Sequence, residues 1–370
     1  MIARAIHRIQ DAALTALALL DFAHPLREGL LARLTAAPEV TPVRIPAGRR
    51  ELSGDLYRTP AGGARGGLIL VHGLTEAGKD DPRIVWFGRL MARLGFAVLV
   101  PEFPGLRALQ ARDADVDEIA DSVRFLTSLG PLVRADRVGL AGFSYVAGPT
   151  LIAATDPAIA SRIGFVASVG GYYDLVNVIR FVTTGHFAHR DIQGWLPPNQ
   201  VARWGFLQSN LELLRDPKDR RILEAIARAR AAGATVGEIP PLDGLSPWGR
   251  ALYGLLTNED PDRVASLVEE LDPLVRAQIA YLSLARVVGR LRADLVIIHG
   301  AQDDFIPYTE SLRLAEAAPE PSRVHLVITR LLGHMDRVRP PRRPWRLPDL
   351  PLAEIWRLAR MIRFVLAQRW

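Results

Sequence analysis

The chain has no cysteine among its 370 residues. Disulfides, thiolate nucleophiles and cysteine-ligated metals are therefore excluded. The same absence leaves the redox compartment open. Lysine is almost missing as well: Lys79 and Lys218 are the only two, so arginine supplies nearly all of the 46 basic residues. Codon bias in a GC-rich genome is the plain reason. A nucleic-acid surface would need basic residues interleaved with aromatics, or a known fold signature, and the sequence has neither. No run reaches the ~18 to 20 apolar residues that a membrane-spanning helix needs.

What is present is the balance of a globular protein with a full core, 49% hydrophobic and 23% charged. The length calls for one large domain with an insertion, or for two domains. The net charge of +6 is uneven, because from Arg337 to Trp370 nine arginines face only Asp349 and Glu354. The rest of the chain is nearly neutral. At the other end, Arg4 and Arg8 precede the apolar stretch Ala12 to Leu20. A signal peptide would need a small-residue cleavage site next, and Asp21, Phe22, Ala23, His24 and Pro25 follow instead. Ile6 to Leu20 therefore reads as an amphipathic helix, and a cytoplasmic location is expected.

Val43 to Ile45 and Gly54 to Tyr57 read as two short strands. Six apolar runs bounded by turns follow: Leu68 to Val71, Phe96 to Val100, Val138 to Ala141, Phe165 to Val169, Leu295 to Ile298 and Val324 to Ile328. Continuous apolar runs of this length fit strands buried on both faces. Helical patterns lie between most of them, at Arg83 to Leu94, Val116 to Leu129, Tyr145 to Ala154 and Glu310 to Ala317. Alternation of this kind predicts an α/β fold with a mostly parallel sheet flanked by helices. Between Val176 and Arg292 the rhythm stops. That stretch has helical segments at Asp219 to Ala231, Pro261 to Leu271 and Leu274 to Leu291, and no convincing buried strand. It is too long to be a structureless loop. The expected organisation is an N-terminal helical extension over 1–42, a core over 43–175 and 293–370, and an α-helical cap insertion over 176–292.

Ligands of an open α/β sheet bind beyond the carboxyl ends of its strands, so the residues after each run carry the chemistry. Gly142-Phe143-Ser144-Tyr145-Val146 follows one run and opens a helix. A sharp turn there lifts the serine hydroxyl clear of the backbone and aims the Tyr145 N–H at the place where an oxyanion would form. His72-Gly73-Leu74-Thr75 follows another run. His299-Gly300-Ala301-Gln302-Asp303-Asp304-Phe305-Ile306-Pro307 follows a third, and Leu331-Leu332-Gly333-His334 the last.

In order and placement these segments resemble the α/β-hydrolase superfamily, nearest to its dienelactone-hydrolase and prolyl-oligopeptidase-like branches. The likeness covers about Val43 to Trp370, apart from the insertion. It implies the α/β-hydrolase fold, with Ser144 as nucleophile, Asp303 as acid and His334 as base, in the chain order of that superfamily. It also implies an oxyanion hole made by the backbone N–H groups of Tyr145 and Leu74, with His72 holding the loop. The implied reaction is acyl transfer to water through an acyl-enzyme, without metal or organic cofactor. Asp174, after the fourth run, is the alternative acid, and His186 and His189 are competing histidines. The family carries glycine two residues after the serine. Here Val146 stands there, and its branched side chain is expected to crowd the turn.

The implied substrate is a small or medium acyl compound, and the insertion is expected to set specificity. Its Phe181, Phe187, Trp195, Trp204 and Phe206 either line an acyl site or form the insertion's own core. The arginines of Leu352 to Leu366 either lie on the outer face of a final helix or make a weak contact with an anionic membrane. A peripheral membrane lipase or lysophospholipase, and a non-catalytic hydrolase-like binding protein, are the alternative functions. Oligomeric state is not legible.

Overall fold

The computed structural model describes residues 2–22, 26, 29–60, 66–130, 133, 138–233, 239, 241–320, 323–331 and 352–369. The chain begins with helices α1 (Ile2–Phe22) and α2 (Leu30–Leu34), then strands β1 (Glu39–Ala47), β2 (Arg50–Arg58) and β3 (Gly66–Val71). Next come α3 (Pro82–Arg93), β4 (Phe96–Pro101), α4 (Pro104–Arg107), α5 (Ala114–Ser128), β5 (Val138–Phe143), α6 (Ala147–Ala154) and β6 (Ile163–Val169). A long excursion follows, containing α7 (Leu175–Thr184), β7 (His186–His189), β8 (Ile192–Trp195), α8 (Gln200–Gln208), α9 (Pro217–Ala231), α10 (Pro247–Thr257), α11 (Val264–Glu269) and α12 (Pro273–Leu282). The chain then closes with β9 (Asp294–Gly300), α13 (Thr309–Ala317), β10 (Val324–Thr329) and α14 (Leu352–Ala367).

Eight strands form one sheet in the order β1-β2-β4-β3-β5-β6-β9-β10. From β4 to β10 every neighbouring pair is parallel, and β1 and β2 are antiparallel additions at one edge. Five of the six apolar runs are largely buried on both faces as expected, and their side chains alternate between the two cores; the sixth, β10, is an edge strand on which Val324 is exposed and Leu326 and Ile328 are half-buried. Ile69, Val71, Leu99, Leu140 and Ile297 join one core, while Leu68, Leu70, Val98, Ala141 and Val296 join the other. The two-residue period of a strand produces this division.

Three elements differ from the sequence reading. Strands β1 and β2 are nine residues each and pair along their whole length, joined at Gly48-Arg49 with Gly48 at φ 56°. Pro42 and Pro46 made this run look short, but β1 is an edge strand, where proline is tolerated. The Leu274 to Leu291 helix stops at Leu282, because the Leu284 N–H goes to the Tyr173 carbonyl (2.8 Å) instead of continuing the helix. Helices predominate in the excursion between β6 and β9, which also carries the antiparallel hairpin β7–β8.

The excursion leaves and returns at one point. The Tyr172 hydroxyl donates to the Leu282 carbonyl (3.1 Å), and the Leu175 N–H donates to Ser283 Oγ (3.2 Å). Its apolar side chains merge with the core on the α5–α6 side of the sheet: Phe181, Trp204, Leu223, Leu255 and Ile279 belong to the same cluster as Leu140 and Leu295. No helix among the described residues is long and apolar enough to cross a membrane.

Candidate active site

The strand order reverses at β3, whose neighbours are β4 on one side and β5 on the other. Such a reversal opens a crevice beyond the carboxyl ends of the strands. Val71 pairs with Gly142, so the loop after β3 and the turn after β5 start side by side. Phe143 pairs with Val169, Val169 with Ile298, and Thr329 with Gly300. The segments after β3, β5, β6, β9 and β10 therefore emerge at one end of the sheet.

Ser144 sits between β5 and a short 3-10 turn (Ser144–Val146) that leads into α6, with φ at 55°. A left-handed conformation costs a non-glycine residue about 1 to 3 kcal/mol and persists only when its surroundings impose it. The surroundings here are glycines. A Cβ on Gly142 would lie 2.5 Å from Thr150 Oγ1 and 2.8 Å from the Ala147 Cα, and one on Gly171 would lie 2.5 Å from the Ala147 Cβ. A Cβ on Gly148 would overlap the Tyr172 hydroxyl. The crowding expected at Val146 does not arise. Val146 has φ −73° and ψ −7°, and its side chain is fully buried in the core. Room at the turn is instead made by Gly142, Gly148 and Gly171. As an early residue of a helical turn, Tyr145 has no intrahelical partner for its N–H.

The loop after β3 is held by His72. Its Nδ1 lies 2.9 Å from the Gly73 carbonyl, which can only accept, so Nδ1 carries the proton. Nε2 then accepts the Phe103 N–H at 3.1 Å, tying the loop to the end of β4. Glu102 Oε1 lies 3.3 Å from Nε2 and finds no donor there. His72 is thus engaged on both ring nitrogens. Leu74, two residues on, is half-buried at the same end of the sheet as Ser144.

Asp303 is buried, at 3% exposure. Its Oδ1 accepts the N–H groups of Phe305 (2.8 Å) and Ile306 (2.9 Å), which fixes the carboxylate in a tight loop. Its Oδ2 faces Gly170 at the end of β6, where a Cβ would lie 3.5 Å away, and it lies 3.6 Å from His299 Nε2. His299 braces this loop by donating from Nε2 to the Ile306 carbonyl (2.9 Å) and meeting Ser311 Oγ at Nδ1 (2.6 Å). Asp304 points elsewhere and accepts from Asn199 Nδ2 (2.9 Å). Asp174 is the N-cap of α7, accepting the Val176 N–H (2.8 Å) with Ser283 Oγ 3.4 Å away. His334 lies outside the described residues. The competing histidines are placed: His186 is exposed, and His189 pairs with Glu316 at 3.0 Å.

Glu310, on α13, carried no signal in the sequence. It is 1% exposed, and its Oε2 accepts the N–H groups of Tyr173 (3.2 Å) and Asp174 (2.7 Å). Burial pushes its pKa up to about 7, against the pull of those two N–H groups and of Arg313 at 3.3 Å. It fastens the start of the excursion to the helix that follows the Asp303 loop.

A narrow cavity opens beside the turn, lined by Tyr145, Leu175, Phe206, Gln278, Ile279 and Leu282 among others. The Tyr145 ring stacks on Tyr172 with centroids 6.3 Å apart, and burial raises the phenol pKa well above its ordinary value. Of the five aromatic side chains in question, Phe206 lines this cavity, Phe181 and Trp204 are buried in the core, Phe187 packs against that core, and Trp195 is exposed. Among the described residues no group of three histidines or carboxylates is placed to hold a metal ion.

No family model matches the chain, and no curated protein matches it in sequence. Solved structures do. The acylaminoacyl peptidase of Pyrococcus horikoshii superposes in two structures. One has a TM-score of 0.54 with 14% identity over 92% of this chain, and the other a TM-score of 0.50 with 16% identity over 83%. The chain spans only 39 to 43% of that peptidase's length. An esterase of Pyrobaculum calidifontis superposes with a TM-score of 0.50 and 13% identity, over 99% of this chain and 92% of its own. With the strand order and the strand–turn–helix at Ser144, these likenesses show that the chain has the α/β-hydrolase fold.

Proposed function

We propose that the protein is a serine hydrolase that cleaves a carboxylic ester or related acyl bond through an acyl-enzyme. The observation that carries this reading is Ser144 itself, held at φ 55° between a buried strand and a helix, beside the His72-Gly73-Leu74 loop of the neighbouring strand. In the reading, His334 takes the hydroxyl proton as Ser144 Oγ attacks the carbonyl carbon. The N–H groups of Tyr145 and Leu74 stabilise the oxyanion. The carbon–oxygen bond to the leaving group breaks, and His334 returns the proton to it. Water, deprotonated by His334, then releases the acid and restores the serine. Asp303 keeps the imidazole in the right tautomer. None of these steps calls on a metal or organic cofactor.

Asp303 is favoured over Asp174 because the Asp174 carboxylate is committed to capping α7. The excursion serves as a cap, and the cavity beside Tyr145 is too narrow to take an acyl group unless its lining side chains move. The named activities of the two structural relatives, a peptidase and an esterase, support acyl transfer without choosing a substrate. The ordinary helical backbone of Val146 speaks against the non-catalytic reading.

A fluorophosphonate probe, with the adduct located by mass spectrometry, tests the proposal. Labelling of Ser144 that vanishes in Ser144→Ala is expected. A folded wild-type protein that takes no label overturns it.

A further inference from the structure

Apolar side chains are exposed unevenly in this protein. Of the thirteen large ones that the described residues present to solvent, six belong to the terminal segments 2–34 and 352–369. They include Leu20 (54%), Leu34 (67%), Leu352 (67%) and Trp356 (59%). Helices α1, α2 and α14 carry these four and pack against one another on one flank, α1 touching both α2 and α14.

The charge on this flank is one-sided. Leu352, Trp356, Arg360 and Arg363 repeat at helical spacing, so together with the adjacent Arg357 they share the outer face of α14. All five are exposed, and Arg360 lies over the Trp356 ring at 4.6 Å. Arg33 on α2 is exposed as well. The acidic side chains here are turned inward. Asp11 pairs with Arg369. Asp21 accepts the N–H groups of Leu30 (2.7 Å) and Leu31 (3.2 Å). Glu354 accepts from Thr329 Oγ1 (2.9 Å) and from the Nε of Arg330 (3.0 Å). The arginines of α14's outer face have no carboxylate partner among the described residues.

We propose that this flank docks on an anionic lipid bilayer, with Trp356 and the leucines at the headgroup level and Arg357, Arg360 and Arg363 on lipid phosphates. A tryptophan beside arginines is suited to that interface, where its amphipathic ring and their long stems reach different depths. A second copy of the chain is the other candidate occupant. A two-fold interface through this face would set the arginines of one copy against the same arginines of the other, which is repulsive. An anionic surface has the complementary charge. The inference rests on this surface alone, and inactivity of Ser144 would leave it intact.

Flotation of the full-length protein with vesicles tests it, using phosphatidylcholine alone or mixed with phosphatidylglycerol. Binding to the mixed vesicles only, weakening as salt rises, is the expected result. Reversing all three charges (Arg357→Glu, Arg360→Glu, Arg363→Glu) should weaken binding by more than ~100-fold. The same charge change at the exposed Arg263, Arg290 and Arg292 should matter far less. Trp356→Phe should lose most of the fluorescence quenching that brominated lipid produces in the wild type. Thermal melts of each variant establish that it is folded. Absence of binding at low salt, or equal loss in the two triple variants, overturns the proposal. So does a dimer that dissociates when the α14 charges are reversed.

Discussion

The Tyr172 hydroxyl lies where a side chain on Gly148 would have to go. Gly148 is inside α6, where helix propensity alone favours alanine over glycine by about 1 kcal/mol. Packing predicts the opposite sign. Gly148→Ala should destabilise the protein by about 1 to 3 kcal/mol in urea denaturation, the usual range for overpacking. Tyr172→Leu clears the space, so the alanine should cost much less in that background. Additive losses in the double variant would refute the contact.

Val146→Gly restores the residue that the resemblance leads one to expect, yet it should not improve the protein. The valine is fully buried in the core and its backbone is unstrained. Burying a valine side chain is worth about 1.5 to 3 kcal/mol, and glycine in its place adds backbone entropy to the unfolded chain. The variant should lose stability by that order, with labelling of Ser144 no faster than in the wild type. Faster labelling would mean that Val146 does close the turn.

The centre of the sheet was legible because β3, β4, β5, β6 and β9 are largely buried on both faces and therefore read as unbroken apolar runs. The Ser144 and Asp303 loops were legible because tight turns demand glycine and proline at fixed offsets, as at Gly142, Gly300 and Pro307. Glu310 was not. A lone glutamate in an amphipathic helix looks like a solvated surface residue, and only the fold brings Tyr173 and Asp174 to it. The break after Leu282 was hidden for a similar reason, since its partner, Tyr173, lies more than a hundred residues earlier. The need for glycine at 148 was hidden in the same way, since the side chain that demands it, Tyr172, comes close only in the fold.

The two candidate acids separate by what each loses. Asp303→Asn keeps an acceptor for the Phe305 and Ile306 N–H groups but removes the charge that would stabilise an imidazolium. On the proposed mechanism, kcat for acyl hydrolysis should fall by ~10²- to 10⁴-fold with little change in melting temperature. Asp174→Ala removes the α7 cap and should cost about 0.5 to 2 kcal/mol of stability, with kcat within several-fold of the wild type. If Asp174→Ala lost the activity and Asp303→Asn kept it, the acid would be the residue after β6.

Glu310 gives a pH dependence whose sign can be worked out. Its pKa is about 7 in the folded protein against 4.5 as a free side chain, so the folded state holds the proton more tightly. The stability this contributes is fully present below about pH 4.5 and is lost as pH rises through about 7. A difference of that size corresponds to about 3 kcal/mol at most. Glu310→Gln cannot ionise, so the wild type should lose ground to it steadily between pH 5 and 7 and no further above pH 8. The comparison is made by urea denaturation of both proteins across that range. The substitution also leaves a carbonyl to accept one of the N–H groups of Tyr173 and Asp174, so the excursion stays fastened. Parallel stability curves for the two proteins would show that Glu310 titrates as an ordinary carboxyl and that its burial is not felt by the charge.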